Sequence, residues 1–309
     1  MEDRDGLDPQ SFIEQILFST LRIELLNDSG NLQSIGTGFL VKVDFPQNQS
    51  ESLVLLVSNK HVLAGSNRFN ITFHQRKTNS NLPELGQTLS FHTANYKEAL
   101  FLHPNPNIDL ACVNISTVIS QLGSKIYYKF LEKTIFANFT EPELDAGQRV
   151  IFVGYPDNRY DQKHNLPVLR SGVTASHPRL DYNGEKQFLI DAQVFPGSSG
   201  SPVFLNMKEA QYNRGQIIIG SGLPYLFVGV VSATMIRNNI VSPLPANMVG
   251  ISEEVIGLGL VFKATSLDAL FDLALRQTWE RIHSKYQNSR ITIPGLTNAK
   301  GTVLSKEVL

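Results

Sequence analysis

The chain has 309 residues, of which 42% are hydrophobic and 18% charged, with a formal net charge of -1 at pH 7. That balance is the composition of a folded soluble protein and gives no electrostatic reason for nucleic acid or an anionic membrane to be the main partner. The length exceeds what one core usually fills, so two packed lobes or domains are expected, and the single cysteine, Cys112, excludes an internal disulfide.

The chain opens on "MEDRDGLDPQ", which is acidic and polar and unlike a secretory signal. No apolar stretch approaches the roughly 20 residues that span a bilayer. With no disulfide available, these features point to a reducing, cytoplasmic setting. A short helix is expected around residues 9 to 17. Strand-like runs follow in order: "STLRIELL", "GTGFLVKV", "SLVLLVSN", "RFNITFH", "DLACVNI", "RVIFVGYP", "QFLIDAQV", "SPVFLN", "FVGVVSA" and "LGLVFKA". Polar loops such as "PQNQSES", "RKTNSNLPE" and "PDNRYDQKHN" separate them. This spacing predicts an antiparallel barrel or sandwich, because helices at βαβ spacing are missing. Cys112, in "LACV", reads as a buried small hydrophobe rather than a reactive thiol. The last predicted element is a long helix over residues 265–286. Thr265 and Asp268 have the spacing of a capping box there, and Leu267, Leu270, Phe271, Ala274 and Trp279 form an apolar stripe that packs against the body. Residues 287–309 read as a tail.

The chemistry starts at "QVFPGSSGSPVF", residues 193–204, where Ser199 stands between Gly197 and Gly200. A serine that transfers acyl groups needs a base, a group that orients the base, and N–H donors for the oxyanion. The two glycines leave the backbone around Ser199 open, which makes the amides of Gly197 and Ser199 the natural donors. Of the seven histidines, His61 stands out, since "LVLLVSNKHVL" sets it at the exit of a buried strand. Asp109 in "NPNIDLACVNI" lies where a polar loop enters an apolar strand, as an orienting carboxylate should. Taken singly, a histidine is more often structural and such an aspartate more often a turn former. The three signals carry weight only together.

In that order, "SNKHV", "DLA" and "PGSSGSP" resemble the trypsin-like, chymotrypsin-fold serine proteases, nearest the bacterial HtrA-type branch. "SIGTGFLV", "AGQRVIFVGYP", "SGVTAS", "VGVVSA" and "GLGLVFKA" are similar to further strands of that family, so the resemblance spans roughly residues 17 to 286. It implies an all-β fold of two antiparallel barrels (roughly 17–135 and 136–264) within a protease unit 1–286 that ends in the helix. It further implies a triad of His61, Asp109 and Ser199, an oxyanion hole from the N–H groups of Gly197 and Ser199, and no metal or cofactor. The implied partner is a protein or peptide substrate, with room for a regulatory protein. Gln193, Val194, Ser232, Ala233, Thr234 and Gly259 would bind substrate. With no acid among them, a small or medium uncharged P1 residue is expected. Too few residues follow the protease unit for a PDZ-type module.

Two positions depart from the family pattern. Ser198 stands where the digestive branch has an aspartate, and Ser201 where many relatives have glycine. Without that aspartate a buried N-terminal ammonium has no partner, so activation by N-terminal processing is not expected. Other hydrolase orders fit less well. An α/β-hydrolase would need His283, on the terminal helix, as its base, and the loop lacks the last glycine of Gly-x-Ser-x-Gly. A subtilisin-like order would need Asp44, at the end of a strand. The alternative of a different class is a protease fold kept as a catalytically silent binding module.

Overall fold

The computed structural model describes residues 7–94, 96–207, 211–213, 216–218, 224–241 and 250–288. The expected short helix is α1 (Phe12–Ser19). Its start is a reciprocal capping box: the Glu14 N–H donates to the Ser11 hydroxyl at 3.2 Å, and the Ser11 N–H donates to the Glu14 carboxylate at 2.8 Å.

The first lobe holds β1 (Thr20–Leu26), β2 (Leu32–Phe45), β3 (Asn48–Ser58), β4 (Arg68–Arg76), β5 (Pro83–Ala94), β6 (Leu100–Leu102) and β7 (Ala111–Asn114), then the short β8 (Ile126–Tyr127) and β9 (Leu131–Glu132). The sheet runs β5-β4-β1-β2-β3-β7-β6, with β8 beside β4 and β9 beside β2. All its pairings are antiparallel except β2 with β9. Two helical segments interrupt it, α2 (Lys60–Leu63) and α3 (Ser116–Leu122). The near-continuous apolar runs of β2 and β3 have a physical cause. Successive strand side chains point to opposite faces, and both faces of this hairpin are covered. Phe39, Val41, Leu55 and Val57 enter one core, while Leu40, Val54 and Leu56 enter another.

The second lobe holds β10 (Arg149–Gly154), β11 (Val168–Thr174), β12 (Gln187–Asp191), β13 (Pro202–Asn206), a small hairpin of β14 (Gln211–Asn213) and β15 (Gln216–Ile218), and the long β16 (Tyr225–Val241) and β17 (Gly250–Lys263). Six of these strands close as a barrel in the order β10-β11-β12-β17-β16-β13. Pairing of β16 with β17 continues to Val241 and Gly250, well past the apolar runs legible in the sequence.

The terminal helix is α4 (Ser266–Asn288). Leu267, Leu270, Phe271, Ala274 and Leu275 are buried in a core that also contains Phe39 of the first lobe and Phe227 of the second. Asp268 does not close a box with Thr265. Its carboxylate pairs with the Lys133 ammonium at 2.8 Å, which ties the helix to the first lobe. The helix runs two residues past the expected end at 286, into the expected tail 287–309, and residues from 289 onward lie outside the described ones. The architecture is the chymotrypsin-like, two-lobed all-β fold with a C-terminal helix. Among the described residues no helix is long and apolar enough to cross a membrane.

Candidate active site

The first lobe supplies a histidine and an aspartate. β3 ends at Ser58 and the chain turns directly into α2, whose buried Val62 and Leu63 anchor it. His61 rides on this single turn with its side chain 52% exposed. Asp109 enters β7 between the buried Ile108 and Leu110. Its Oδ2 meets His61 Nδ1 at 2.5 Å, and its Oδ1 accepts the His61 backbone N–H at 3.1 Å. One carboxylate thus fixes both the ring and the backbone of His61. An ionised carboxylate at Nδ1 keeps the ring proton there and leaves Nε2 as the acceptor. The Asp109 carbonyl is held in turn by the Asn59 side-chain amide at 2.7 Å.

The second lobe supplies the loop that carries Ser199. Gly197 and Gly200 have left-handed φ values of +88° and +87°. A β-carbon at Gly197 would fall 2.4 Å from the Tyr155 carbonyl oxygen, and one at Gly200 would fall 1.9 Å from that of Thr37. Backbone conformation and close approach both demand glycine here.

The directions of the loop's N–H groups follow from where its carbonyls are held. A trans peptide unit points its C=O and N–H oppositely. The Pro196 carbonyl accepts the Asp157 N–H at 2.6 Å, which turns the Gly197 N–H the other way. The Ser198 carbonyl accepts the Ser201 N–H at 3.0 Å, which does the same for the Ser199 N–H. Neighbouring donors are used internally: Ser198 N–H to Phe195 at 2.9 Å and Gly200 N–H to Val231 at 2.8 Å. From the first lobe, the Thr37 N–H donates to the Ser199 carbonyl at 2.9 Å and the Thr37 hydroxyl to the Gly197 carbonyl at 2.7 Å. Among the described residues, only the Gly197 and Ser199 N–H groups of residues 197–201 have no acceptor.

Ser232 connects the two halves. It sits at a register shift between β16 and β17, where the ladder passes from Val231 to Ala233. Bulges of this kind free backbone groups near sites. Its hydroxyl donates to Asp109 Oδ2 at 3.3 Å, and its carbonyl accepts the Ser199 hydroxyl at 3.0 Å. Among the described contacts none joins Ser199 directly to His61. The structure therefore brings His61, Asp109 and Ser199 to one lobe boundary, linked through Ser232.

The other predicted positions are less uniform. Gln193 is exposed, and Val194 is 2% exposed within the second-lobe core. A β-carbon on Gly259 would fall 2.5 Å from a Val194 methyl, so these two meet. Thr234 pairs with Gly259 and Ala233 with Leu260 in backbone register, while their side chains lie outside the described ones. The hydroxyls of Ser198 and Ser201 are buried with no hydrogen-bond partner. Thr37 and Asn59 stand inside the "SIGTGFLV" and "SNKHV" motifs, yet nothing in the sequence alone marks them as part of the site. The Arg170 guanidinium lies 5.0 Å from the ring centre of Phe195, at the start of the nucleophile loop. Burial pushes the Cys112 thiol well above its ordinary value, as expected of an inert core cysteine. Among the described residues no three His, Cys, Asp or Glu side chains converge as metal ligands would.

Residues 36–210, more than half of the chain, match the family model described as the trypsin-like peptidase domain. The chain belongs to this family. The matched stretch of the trypsin-like peptidase domain contains Thr37, His61, Asp109 and Ser199 and stops short of Ser232. Among solved structures, the chain is similar to the Rv3671c protease from M. tuberculosis in its active form. That match has 17% identity over 84% of this chain and 82% of the other, with a TM-score of 0.43. It is also similar to the apo MamO protease domain from Magnetospirillum magneticum, at 12% identity over 82% and 95% of the two chains and a TM-score of 0.42. Comparison with curated proteins finds no match.

Proposed function

We propose that this trypsin-like domain is a serine endopeptidase working through an acyl-enzyme. Ser199 attacks the scissile carbonyl while His61 Nε2 takes its proton and later returns it to the leaving amine. Asp109 holds the imidazole tautomer and stabilises its charged form. The oxyanion of each tetrahedral intermediate lies against the N–H groups of Gly197 and Ser199. For attack, the Ser199 hydroxyl leaves the Ser232 carbonyl for His61 by rotating about χ1, a step between staggered wells. The vacated carbonyl then accepts a backbone N–H of the substrate, which lies along β16 beside Gln193, Ala233, Thr234 and Gly259.

The observation that carries this reading is the pairing pattern of the loop. Every other backbone N–H from Gly197 to Ser201 is used, and the two left over flank the Ser199 hydroxyl. Unpaired N–H groups in a tight loop are costly unless an anion or water occupies them, and an oxyanion is such an occupant.

One observation favours a second reading, a catalytically silent binding module: the Ser199 hydroxyl engages Ser232 instead of His61. A fluorophosphonate probe separates the two, because it labels only an activated serine. The wild-type protein should be labelled and should cleave peptides. Ser199→Ala should do neither while keeping its melting temperature, since a partly exposed hydroxyl contributes little to folding. Absence of labelling in folded wild-type protein, or turnover by Ser199→Ala, refutes the peptidase reading.

A further inference from the structure

The digestive branch orders its oxyanion loop with an aspartate beside the nucleophile, and Ser198 offers no charge for that purpose. The structure shows what holds the loop here. Thr37 of β2 is fully buried and makes three hydrogen bonds across the lobe boundary. Its N–H donates to the Ser199 carbonyl at 2.9 Å, its hydroxyl donates to the Gly197 carbonyl at 2.7 Å, and the same oxygen accepts the Tyr155 N–H at 3.1 Å. A fourth bond steadies Thr37 itself, since its carbonyl accepts the Ser58 hydroxyl at 2.6 Å.

The hydroxyl's two partners are the two supports of the Gly197 N–H. Tyr155 opens the turn that closes with the Asn158 N–H on its carbonyl at 3.2 Å. That turn presents the Asp157 N–H to the Pro196 carbonyl. Gly197 is the residue whose N–H must face the oxyanion. One side chain therefore ties the turn that orients the Pro196–Gly197 peptide to the carbonyl that follows it. Gly154 makes room for this, because a β-carbon there would lie 2.8 Å from the Thr37 hydroxyl oxygen.

We infer that Thr37 is the positioning residue of the oxyanion loop: its hydroxyl, reaching from the first lobe, keeps the Gly197 N–H directed at the reacting carbonyl. The inference rests on Ser199 being the nucleophile. Without the hydroxyl, the Gly197 carbonyl and the Tyr155 N–H both lose their partners. The Pro196–Gly197 unit is then free to turn its carbonyl toward the reaction centre, where it repels the oxyanion. Substrate binding along β16 does not involve Thr37, so the effect falls on kcat.

The test compares Thr37→Val, which keeps the shape and removes the hydroxyl, with Thr37→Ser, which keeps the hydroxyl. Rates are normalised to active sites by burst titration. Thr37→Val should lose about 10²-fold in kcat, the scale of misplacing one oxyanion donor, with KM within threefold. Thr37→Ser should recover to within about fivefold of wild type. A role confined to folding would lower the melting temperature and the titratable fraction and leave kcat per active site intact, which overturns the inference. Equal losses in the Val and Ser variants overturn it too. If Thr37→Val does not fold, Thr37→Ala, which leaves room for a water at the two orphaned groups, is read by the same criteria. Crystal structures of wild type and variant test the same point without turnover. Release of the Pro196 carbonyl from Asp157 upholds the inference, and an unchanged loop refutes it. A wild-type protein that neither turns over nor takes the probe would remove the peptidase reading, and the crystal structures would still decide whether Thr37 holds the Pro196–Gly197 unit.

Discussion

Gly200→Ala isolates the steric demand of the nucleophile loop when it is paired with Gly30→Ala. Both glycines have left-handed φ, +87° and +82°, so both substitutions carry the same backbone penalty of about 1–2 kcal/mol. Their surroundings differ. An added β-carbon at Gly30 meets nothing within 4 Å, whereas at Gly200 it falls 1.9 Å from the Thr37 carbonyl oxygen and 2.2 Å from the Ser58 hydroxyl. Ordinary carbon–oxygen contacts are about 3.3 Å or longer, so the gap to the Thr37 carbonyl must open by about 1.4 Å. Overpacking of this kind costs about 1–3 kcal/mol and occasionally more. The double comparison cancels the φ penalty and predicts that Gly200→Ala is less stable than Gly30→Ala by about 2–3 kcal/mol in urea unfolding followed by circular dichroism. The displaced residues carry Ser199, so kcat should also fall by about 10²-fold in Gly200→Ala alone. Equal stability and equal activity of the two variants would refute the steric argument and the loop geometry behind it.

Asp109→Asn should leave the fold intact and cut kcat steeply, because an amide favours the wrong tautomer of His61; the same change costs a digestive protease about 10⁴. Activity within tenfold of wild type would assign the orienting role to another group. A peptide library should show Ala, Val, Thr or Leu at P1 cleaved faster than Arg or Lys, and dominance of basic residues would remove Gln193 from the proposed substrate-binding residues. Burial lowers the pKa of His74 below its ordinary 6.5, against a partial opposing effect of its contact with the His164 carbonyl. The unfolded chain then binds a proton that the folded one refuses, so stability is full above pH 6.5 and declines as pH falls from there toward the lower folded value. The urea midpoint should be lower at pH 5.5 than at pH 7.5, with a smaller drop in His74→Gln; an identical drop would show that other groups dominate.

Features legible in the sequence were those whose cause is local. Gly197 and Gly200 announce a strained turn, and the apolar runs of β2 and β3 announce strands covered on both faces. His61 is found because a buried strand ends just before it. β5 escaped notice because "PELGQTLSFHTA" alternates polar and apolar residues at the end of the sheet path and lacks a continuous apolar run. The outer part of β16 is polar, so its length was invisible, and α3 is too short to show a period. Asp268 has the spacing of a cap in the sequence because Lys133 is its neighbour only in the folded chain. Ser232 is legible only through the family resemblance, since its link to Asp109 spans 123 residues. Thr37 is the clearest case. Its motif was legible, but its partners belong to the other lobe, and no local pattern encodes how two lobes dock.

The core shared by the lobes and α4 bears on the order in which the molecule is made. Phe39 and Val41 emerge well before Leu267, Leu270, Phe271 and Leu275, which are buried with them. Chains synthesised from the N-terminus build the His61–Asp109 half first. Ser199 and Ser232 follow, and the apolar seal over the lobe boundary is completed only when α4 docks. A ribosome-bound chain that has not yet released α4 holds every proposed catalytic side chain and lacks the wedge that presses the lobes together. Chronology thus separates possession of the parts from their assembly, a useful interval for the proposed peptidase, since its nearest available peptide is itself.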